Sequence, residues 1–593
     1  MEKWSNNSVL QKKGLSSIGE MFFFQLWSEL LNVNTLDSYQ YNILNSHMSL
    51  LELLDVITGL RHNNVHISNL QDCMKESLKI IKEDDILEEH AKHIKNRLIH
   101  HLSKTIKKNE NTALLRLRFQ IQHALKQIEK PYLFWLLDST KIAIKVDDNE
   151  KIHKCLQSLV SESIGIGFSS KYLYRLRDLF ENNNTFEEKW DSFSKAITSG
   201  KKKFWFLFKL EITQKLGLKE IINLKDLNLD LFIGKELLLY KFNKANNLNY
   251  VIGINDYYFV CELEAYDSHS AFFEGFKKIS YEINYVSFYR ILEPWLSKIP
   301  KVIIIEENNH AYNYDASHLF EIHDYVDTSL KLFQVAKNVL KNKTIEPETI
   351  TKLQGAFLYG NLSRTSLFQE VKFLNLWVAL ESFVKTGQHE SIIEHLKQII
   401  PAALCVRYYY RILRNFAEDC KRCDVQLEGL DGTVINLEES KTKVAEDLLK
   451  LLRDETKFKE LEKKCEVNCL LNFRIYEIKQ LIEDGPSVAK RLKEHHKKIN
   501  WHLQRLYRVR NSISHSAYFS TRPLSTYIKN LSEYLSIVVT EVLHQLNKNQ
   551  YSCIEEVFEA LVDNHNVIVD IFETDCIYDL SLLIDGTLDV LQP

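Results

Sequence analysis

The chain has 593 residues, too many for one hydrophobic core, so three or four structural units are expected. Its composition, 45% hydrophobic and 26% charged, is that of a globular protein and excludes a disordered or fibrous one. A formal net charge of −3 excludes whole-chain attraction to nucleic acid or to membranes, so any electrostatic site has to be local.

Only 17 Gly and 8 Pro interrupt the chain, which favours long helices. Ten cysteines are too sparse for a disulfide framework and point to a reducing compartment. The N-terminal "MEKWSNNSVLQKKG" has no apolar core of signal-peptide length, and no apolar run approaches the ~18 residues of a membrane span. A cytoplasmic protein with no membrane partner is the expectation.

A mainly α fold follows from the patterning. Residues 1–230 read as a series of helices: "LDSYQYNILNSHMSLLELLDVITGL", "ILEEHAKHIKNRLIHHLSKTIKK" and "NTALLRLRFQIQHALKQIEKP" all carry apolar residues at three- and four-residue steps. Within this region Lys201-Lys202-Lys203 reads as a solvated helix start, and Gly165-Ile166-Gly167 lacks the third glycine of a dinucleotide turn. From 231 to 345 the texture changes. "YVIGINDYYFVCELEAYD" and "KVIIIEENN" are rich in β-branched and aromatic residues and flank the helical "SHSAFFEGFKKISYEIN", which predicts a small α+β module with connecting helices. "KNKTIEPET" is the best linker candidate.

Residues 350–550 form a second helical block, punctuated at Gly387, at Gly485-Pro486 and at Pro523. Residues 551–593 hold ten acidic residues and no Lys or Arg. Their Val, Ile, Leu and Phe content predicts a packed acidic subdomain; a mask over a basic site is the sharper alternative. There is no phosphate-binding loop of the G-x-x-x-x-G-K-[ST] type. "HESIIEH" lacks the second histidine of H-E-x-x-H because residue 393 is Ile. Cys420, Cys423, Cys465 and Cys469 pair as a zinc site would, but they lack a glycine knuckle and read as reduced thiols. No cofactor and no metal are expected.

The chemistry concentrates in "RLYRVRNSISHSAYFS", Arg505–Ser520. Apolar Ile499, Leu503, Leu506, Val509 and Ile513 recur at helical steps and define a buried face. Asn511 and His515, four apart, share another face, while Arg510 lies about 140° around a regular helix from His515. Lys490, Arg491, Lys493, Lys497, Lys498, Arg505, Arg508 and Arg510 crowd this segment against Glu494 alone, and His495, His496 and His502 add titratable nitrogen. This is the clearest local anion site in the sequence. The Arg-x4-His spacing by itself is weak, since it recurs at Arg61/His66, Arg118/His123 and Arg491/His496. Glu381, alone among apolar neighbours in "LWVALESF", reads as a surface carboxylate or as a polar partner for Arg510.

"WHLQRLYRVRNSISHS", "FLNLWVALESF" and the helix after Pro523 resemble the HEPN superfamily (higher eukaryotes and prokaryotes nucleotide-binding), in its Apea-like branch, over about a third of the chain. The resemblance implies a C-terminal HEPN-like helical bundle that dimerises so that both Arg-x4-His signatures line one cleft. It implies a metal-independent endoribonuclease, often a toxin or an anti-phage (abortive infection) effector, acting on RNA such as tRNA. A phage-derived trigger or an antitoxin is then a further partner. Carried onto this sequence, Arg510, Asn511 and His515 are the catalytic set, and Arg505, Arg508, Lys497 and Lys498 hold flanking phosphates. The reaction is attack of the RNA 2′-hydroxyl on the adjacent phosphorus, leaving 2′,3′-cyclic phosphate ends. A non-catalytic RNA-binding or scaffold protein using the same basic helix is the alternative.

Overall fold

The computed structural model describes residues 3–32, 44–61, 66–107, 110–210, 231–242, 248, 250–288, 301–315, 330–366, 368–385, 391–437, 441–516, 524–574 and 582–585. Gly387, the start of "HESIIEH" and Pro523 lie outside them, as does the side chain of His515.

Eleven helices open the fold: α1 (Asn7–Lys12), α2 (Ile18–Leu31), α3 (Ser46–Arg61), α4 (Ile67–Lys82), α5 (Asp85–His90), α6 (Lys92–Leu102), α7 (Asn111–Ile128), α8 (Tyr132–Lys145), α9 (Asn149–Ile166), α10 (Ser170–Arg175) and α11 (Phe186–Ile197). Several begin where the sequence supplies a cap. Ser17 Oγ accepts from the Glu20 N–H while Glu20 Oε2 accepts from the Ser17 N–H, and Thr185 and Glu188 repeat the device at α11. Gly167 ends α9 at φ +121°, a conformation in which a side chain would be strained. Gly165-Ile166-Gly167 is therefore a packed helix end. These helices share one core around Phe22, Phe23, Trp27 and Tyr132.

The sheet starts earlier than the sequence patterning suggested. Strand β1 (Lys202–Leu210) lies inside the stretch read as helical to 230, and Lys202 and Lys203 begin this strand rather than a helix. Its alternation explains why. Phe204, Phe206 and Phe208 face one core and Leu207 the other, the period-two pattern of a strand buried on both sides. With β2 (Leu231–Ile233), β3 (Tyr257–Ala265), β4 (Lys301–Glu306) and β5 (Ala311–Asp315) it forms an antiparallel sheet of order β2-β3-β1-β4-β5. The expected strand–helix–strand order is present as β3, α12 (Ser268–Phe288) and β4. Gly275 lets α12 approach the sheet: a Cβ there would sit 2.3 Å from the Phe206 ring.

The C-terminal part comprises α13 (Leu330–Lys341), α14 (Pro347–Thr365), α15 (Gln369–Val384), α16 (Ile392–Val406), α17 (Tyr408–Arg422), α18 (Lys441–Arg453), α19 (Glu455–Cys465), α20 (Cys469–Leu481), α21 (Gly485–Ser516), α22 (Leu524–Asn547) and α23 (Ile554–Thr574). The linker candidate is the short α13–α14 turn, where Glu346 N–H donates to Ser552 O at 2.9 Å. A break at Arg407 divides the long apolar stretch after Ser391 into α16 and α17, while Pro401 stays inside α16. The bundle does not stop at 550. Ile554, Val557, Phe558 and Leu561 of α23 enter the same core as Trp377, Leu503 and Leu531. The described part of the acidic tail is thus a bundle helix lying along α21, where its Glu573 pairs with Lys493 at 2.5 Å.

Three histidines of this block are buried and held neutral. Burial is the main cause in each case: it lowers His502 to about 3 and His565 to about 4, and it depresses His495 strongly. The unfolded chain, with histidines near 6.5, binds more protons below that pH, so the contribution is complete above pH 6.5 and is lost as pH falls toward 4. Each histidine costs up to about 1.4 kcal/mol per pH unit in that window. Thermal unfolding followed from pH 7.5 to 5.5, above the range in which ordinary carboxylates titrate, should show a falling midpoint. A pH-independent midpoint would contradict the assignment.

Candidate active site

Helix α21 is a continuous rod of 32 residues, about 48 Å long. Asp484 Oδ1 caps its start by accepting from the Ser487 N–H at 2.7 Å. Ile499, Leu503 and Leu506 are fully buried in the bundle core, with Val509 and Ile513 packed at its edge, as the apolar spacing requires. The remaining faces separate the basic residues into groups with different fates.

Arg505 and Arg508 do not face solvent. The N-terminal helices dock on this part of α21, and Arg505 is only 3% exposed. Its Nε donates to Glu52 Oε1 and Oε2 at 3.0 and 2.8 Å, and its Nη2 to Glu76 Oε2 at 2.6 Å. Arg508 Nη2 donates to Glu52 as well. Around this constellation Gln504 Nε2 donates to Asn69 Oδ1, and Lys397 pairs with Asp72 at 2.9 Å. The site is buried, and burial pushes the neighbouring Cys73 thiol up to about 12. The reading of Arg505 and Arg508 as open phosphate contacts is therefore corrected. They are neutralised by carboxylates of α3 and α4.

Lys497 and Lys498 are exposed, and Lys497 Nζ sits 5.0 Å from the centre of the Trp501 ring. They stand twelve and thirteen residues before Arg510, about 20 Å along the axis, so the structure does not bring them to the catalytic candidates. His495, His496 and His502 add no cation. His495 stacks on Tyr408, His496 on His565, and His502 Nδ1 lies 2.7 Å from Tyr534 Oη.

Arg510 is different. Its side chain is 30% exposed, its Nη1 donates to Asn511 Oδ1 at 3.1 Å, and its Nη2 lies 3.8 Å from Glu381 Oε2. Glu381 is held in turn by Trp377 Nε1, which donates to Oε2 at 2.6 Å. Glu381 is thus the polar partner of Arg510. Arg510 and Asn511 are brought together; His515 follows one turn later on the same unbroken helix. Because α21 stays helical through Ser516, the 140° offset between Arg510 and His515 persists within one chain.

Cys420, Cys423 and Cys465 are buried in one apolar core, whereas Cys469 Sγ donates to Asn7 Oδ1 at the edge of another, so the four thiols do not converge. Among the described residues no group of three or more His, Cys, Asp or Glu side chains is arranged to hold a metal ion, and no helix is long and apolar enough to cross a membrane.

The residues that sequence reasoning missed are Glu52 and Glu76. Glu52 carried a weak signal, a carboxylate flanked on each side by two leucines in "SLLELLDV". Nothing in the sequence names a partner 453 residues away. In comparisons with known proteins the chain matches no family model, no curated protein and no solved structure.

Removing one member of a buried ion pair leaves its partner charged and buried without compensation. Glu52→Gln should therefore lower stability by about 3–5 kcal/mol in denaturant unfolding. A loss below about 1 kcal/mol, the scale of an exposed pair, would show that this contact is hydrated.

Proposed function

We propose that this chain is a metal-independent endoribonuclease whose active centre is the C-terminal end of α21. The observation that supports this reading is the state of Arg510. It stays part-exposed and oriented by Asn511 and Glu381 while the neighbouring arginines are consumed by carboxylates. A guanidinium so placed can stabilise the charge that builds on phosphorane oxygens, with planar donors that a lysine lacks. His515 supplies the imidazole, taking the 2′ proton or protonating the leaving 5′ oxygen, and the cleaved RNA is left with a 2′,3′-cyclic phosphate.

Within one chain the backbone positions of Arg510 and His515 are about 140° apart around α21, so the centre is completed by a second copy. The surface for that copy lies beside Glu381. Val371 and Val378, on the same stripe of α15, and Phe357, Leu358 and Leu362 of the adjoining α14 are all at least 36% exposed. The docked α3 and α4 keep Arg505 and Arg508 from RNA, which makes the N-terminal region the regulatory half of the molecule. The biological setting that goes with this reading is abortive infection, a silenced nuclease released by a phage-derived trigger or by loss of an antitoxin. That setting rests on the resemblance alone.

Purified protein incubated with total RNA and tRNA in excess EDTA should yield cyclic-phosphate ends, and His515→Ala should lower the rate by about 10²–10⁴-fold. Equal cleavage by both proteins would overturn the assignment. RNA binding without cleavage, dependent on Lys497 and Lys498, would favour the scaffold reading.

A further inference from the structure

An open cationic surface lies on α6 and α7, far in sequence from the candidate active site. Between Lys92 and Lys130 there are ten Lys or Arg against two Glu. Lys92 and Lys95 are matched by Glu88, at 2.5 and 3.3 Å. Among the described residues, Arg97, Lys104, Arg116, Arg118 and Lys126 have no acidic partner. Three of these cations act on one ring: the His101 imidazole is held below its ordinary value by burial and then by Lys104, His100, Arg116 and Arg97.

Aromatic and apolar groups are interleaved with the charge. Leu115 is 52% and Phe119 63% exposed, and both lie on the outer face of α7 beside Arg116. The His123 ring is 6.3 Å from that of Phe119, centre to centre. Arg97 Nη2 donates to His123 Nδ1 at 2.7 Å, and because a guanidinium only donates, Nδ1 carries no proton. The His123 ring is therefore held in place by a cation and set next to an exposed phenyl ring.

We propose that the α6–α7 face binds single-stranded RNA, with Phe119 and His123 as stacking surfaces for bases and Arg97, Lys104, Arg116 and Lys126 as contacts to the phosphates. Sequence-tolerant single-strand binding needs this combination of flat rings within a track of cations. An anionic membrane fits less well. The apolar face of α7, formed by Leu117, Ile121, Ala124, Leu125 and Ile128, is already buried in the N-terminal core. Two exposed side chains do not replace the continuous apolar face of an interfacial helix. The surface would hold RNA whether or not α21 cleaves it.

The test uses full-length protein carrying His515→Ala, so that the probe stays intact, and a fluorescein-labelled 20-nucleotide RNA of mixed sequence read by anisotropy. Phe119→Ala should weaken binding by about tenfold, with Phe119→Trp restoring it. Replacing Arg97, Lys104, Arg116 and Lys126 together by Gln should weaken binding further and reduce the salt dependence, a log–log slope, by about three. Circular dichroism checks that the substitutions, the half-buried Arg97 included, leave the fold intact. Binding unchanged by both sets of substitutions would overturn the proposal. So would capture of phosphatidylserine vesicles with the same dependence on Phe119, which would make the face a lipid contact.

Discussion

The structure depends on a buried cluster of two arginines and two glutamates, in which Glu52 and Glu76 of the N-terminal helices close over Arg505 and Arg508 of α21. Four charges removed from water are tolerated only as a set, because each satisfies the others and none is stable alone. A second set joins the same two regions elsewhere: Arg422 donates to Glu29 and Asp419 at 3.1–3.3 Å, Arg474 donates to Asp419, and Trp4 lies over both guanidinium groups. Directional, geometry-dependent contacts of this kind give one docking register, whereas apolar packing alone would accept several. Apolar contacts still add to it, since Leu470 and Cys469 of α20 join the N-terminal core.

Helix α21 therefore serves three ends along its length. Its apolar stripe is the bundle core, its middle arginines are the joint to the N-terminal helices, and its last turns carry Arg510, Asn511 and His515. All three lie on one continuous helix, Gly485–Ser516. This economy also explains the concentration of positive charge that made the segment conspicuous. Part of that charge is structural, in Arg505 and Arg508, while Lys497 and Lys498 stay exposed and Arg510 is part-exposed near the end of the helix.

The sequence made the mainly helical fold legible, because Gly and Pro are scarce and the apolar spacing is regular. The strand–helix–strand order was legible for the same reason, since β3 and β4 are dense in Val, Ile, Phe and Tyr. Strand β1 escaped because "KKFWFLFKL" follows a long helical series, and an aromatic run buried on both faces has no polar alternation to mark it. The continuation of the bundle into α23 was hidden by charge: acidity suggested a peripheral tail, yet Val557, Phe558 and Leu561 sit at the core positions. At the site, the buried stripe of α21 was readable from spacing, while Glu381 read equally as a surface carboxylate, and only the structure sets it beside Arg510. The fate of Arg505 and Arg508 was not readable, since it depends on carboxylates more than 400 residues away.

The central claim, that Arg510 of one copy acts with His515 of another, is open to a complementation measurement. Arg510→Ala and His515→Ala chains, each inactive alone, would be mixed, allowed to exchange subunits, and assayed for RNA cleavage in EDTA. In a symmetric pair the mixed dimer regains one intact centre, so about a quarter of wild-type activity should return. A mixture as inactive as either variant alone would contradict the account.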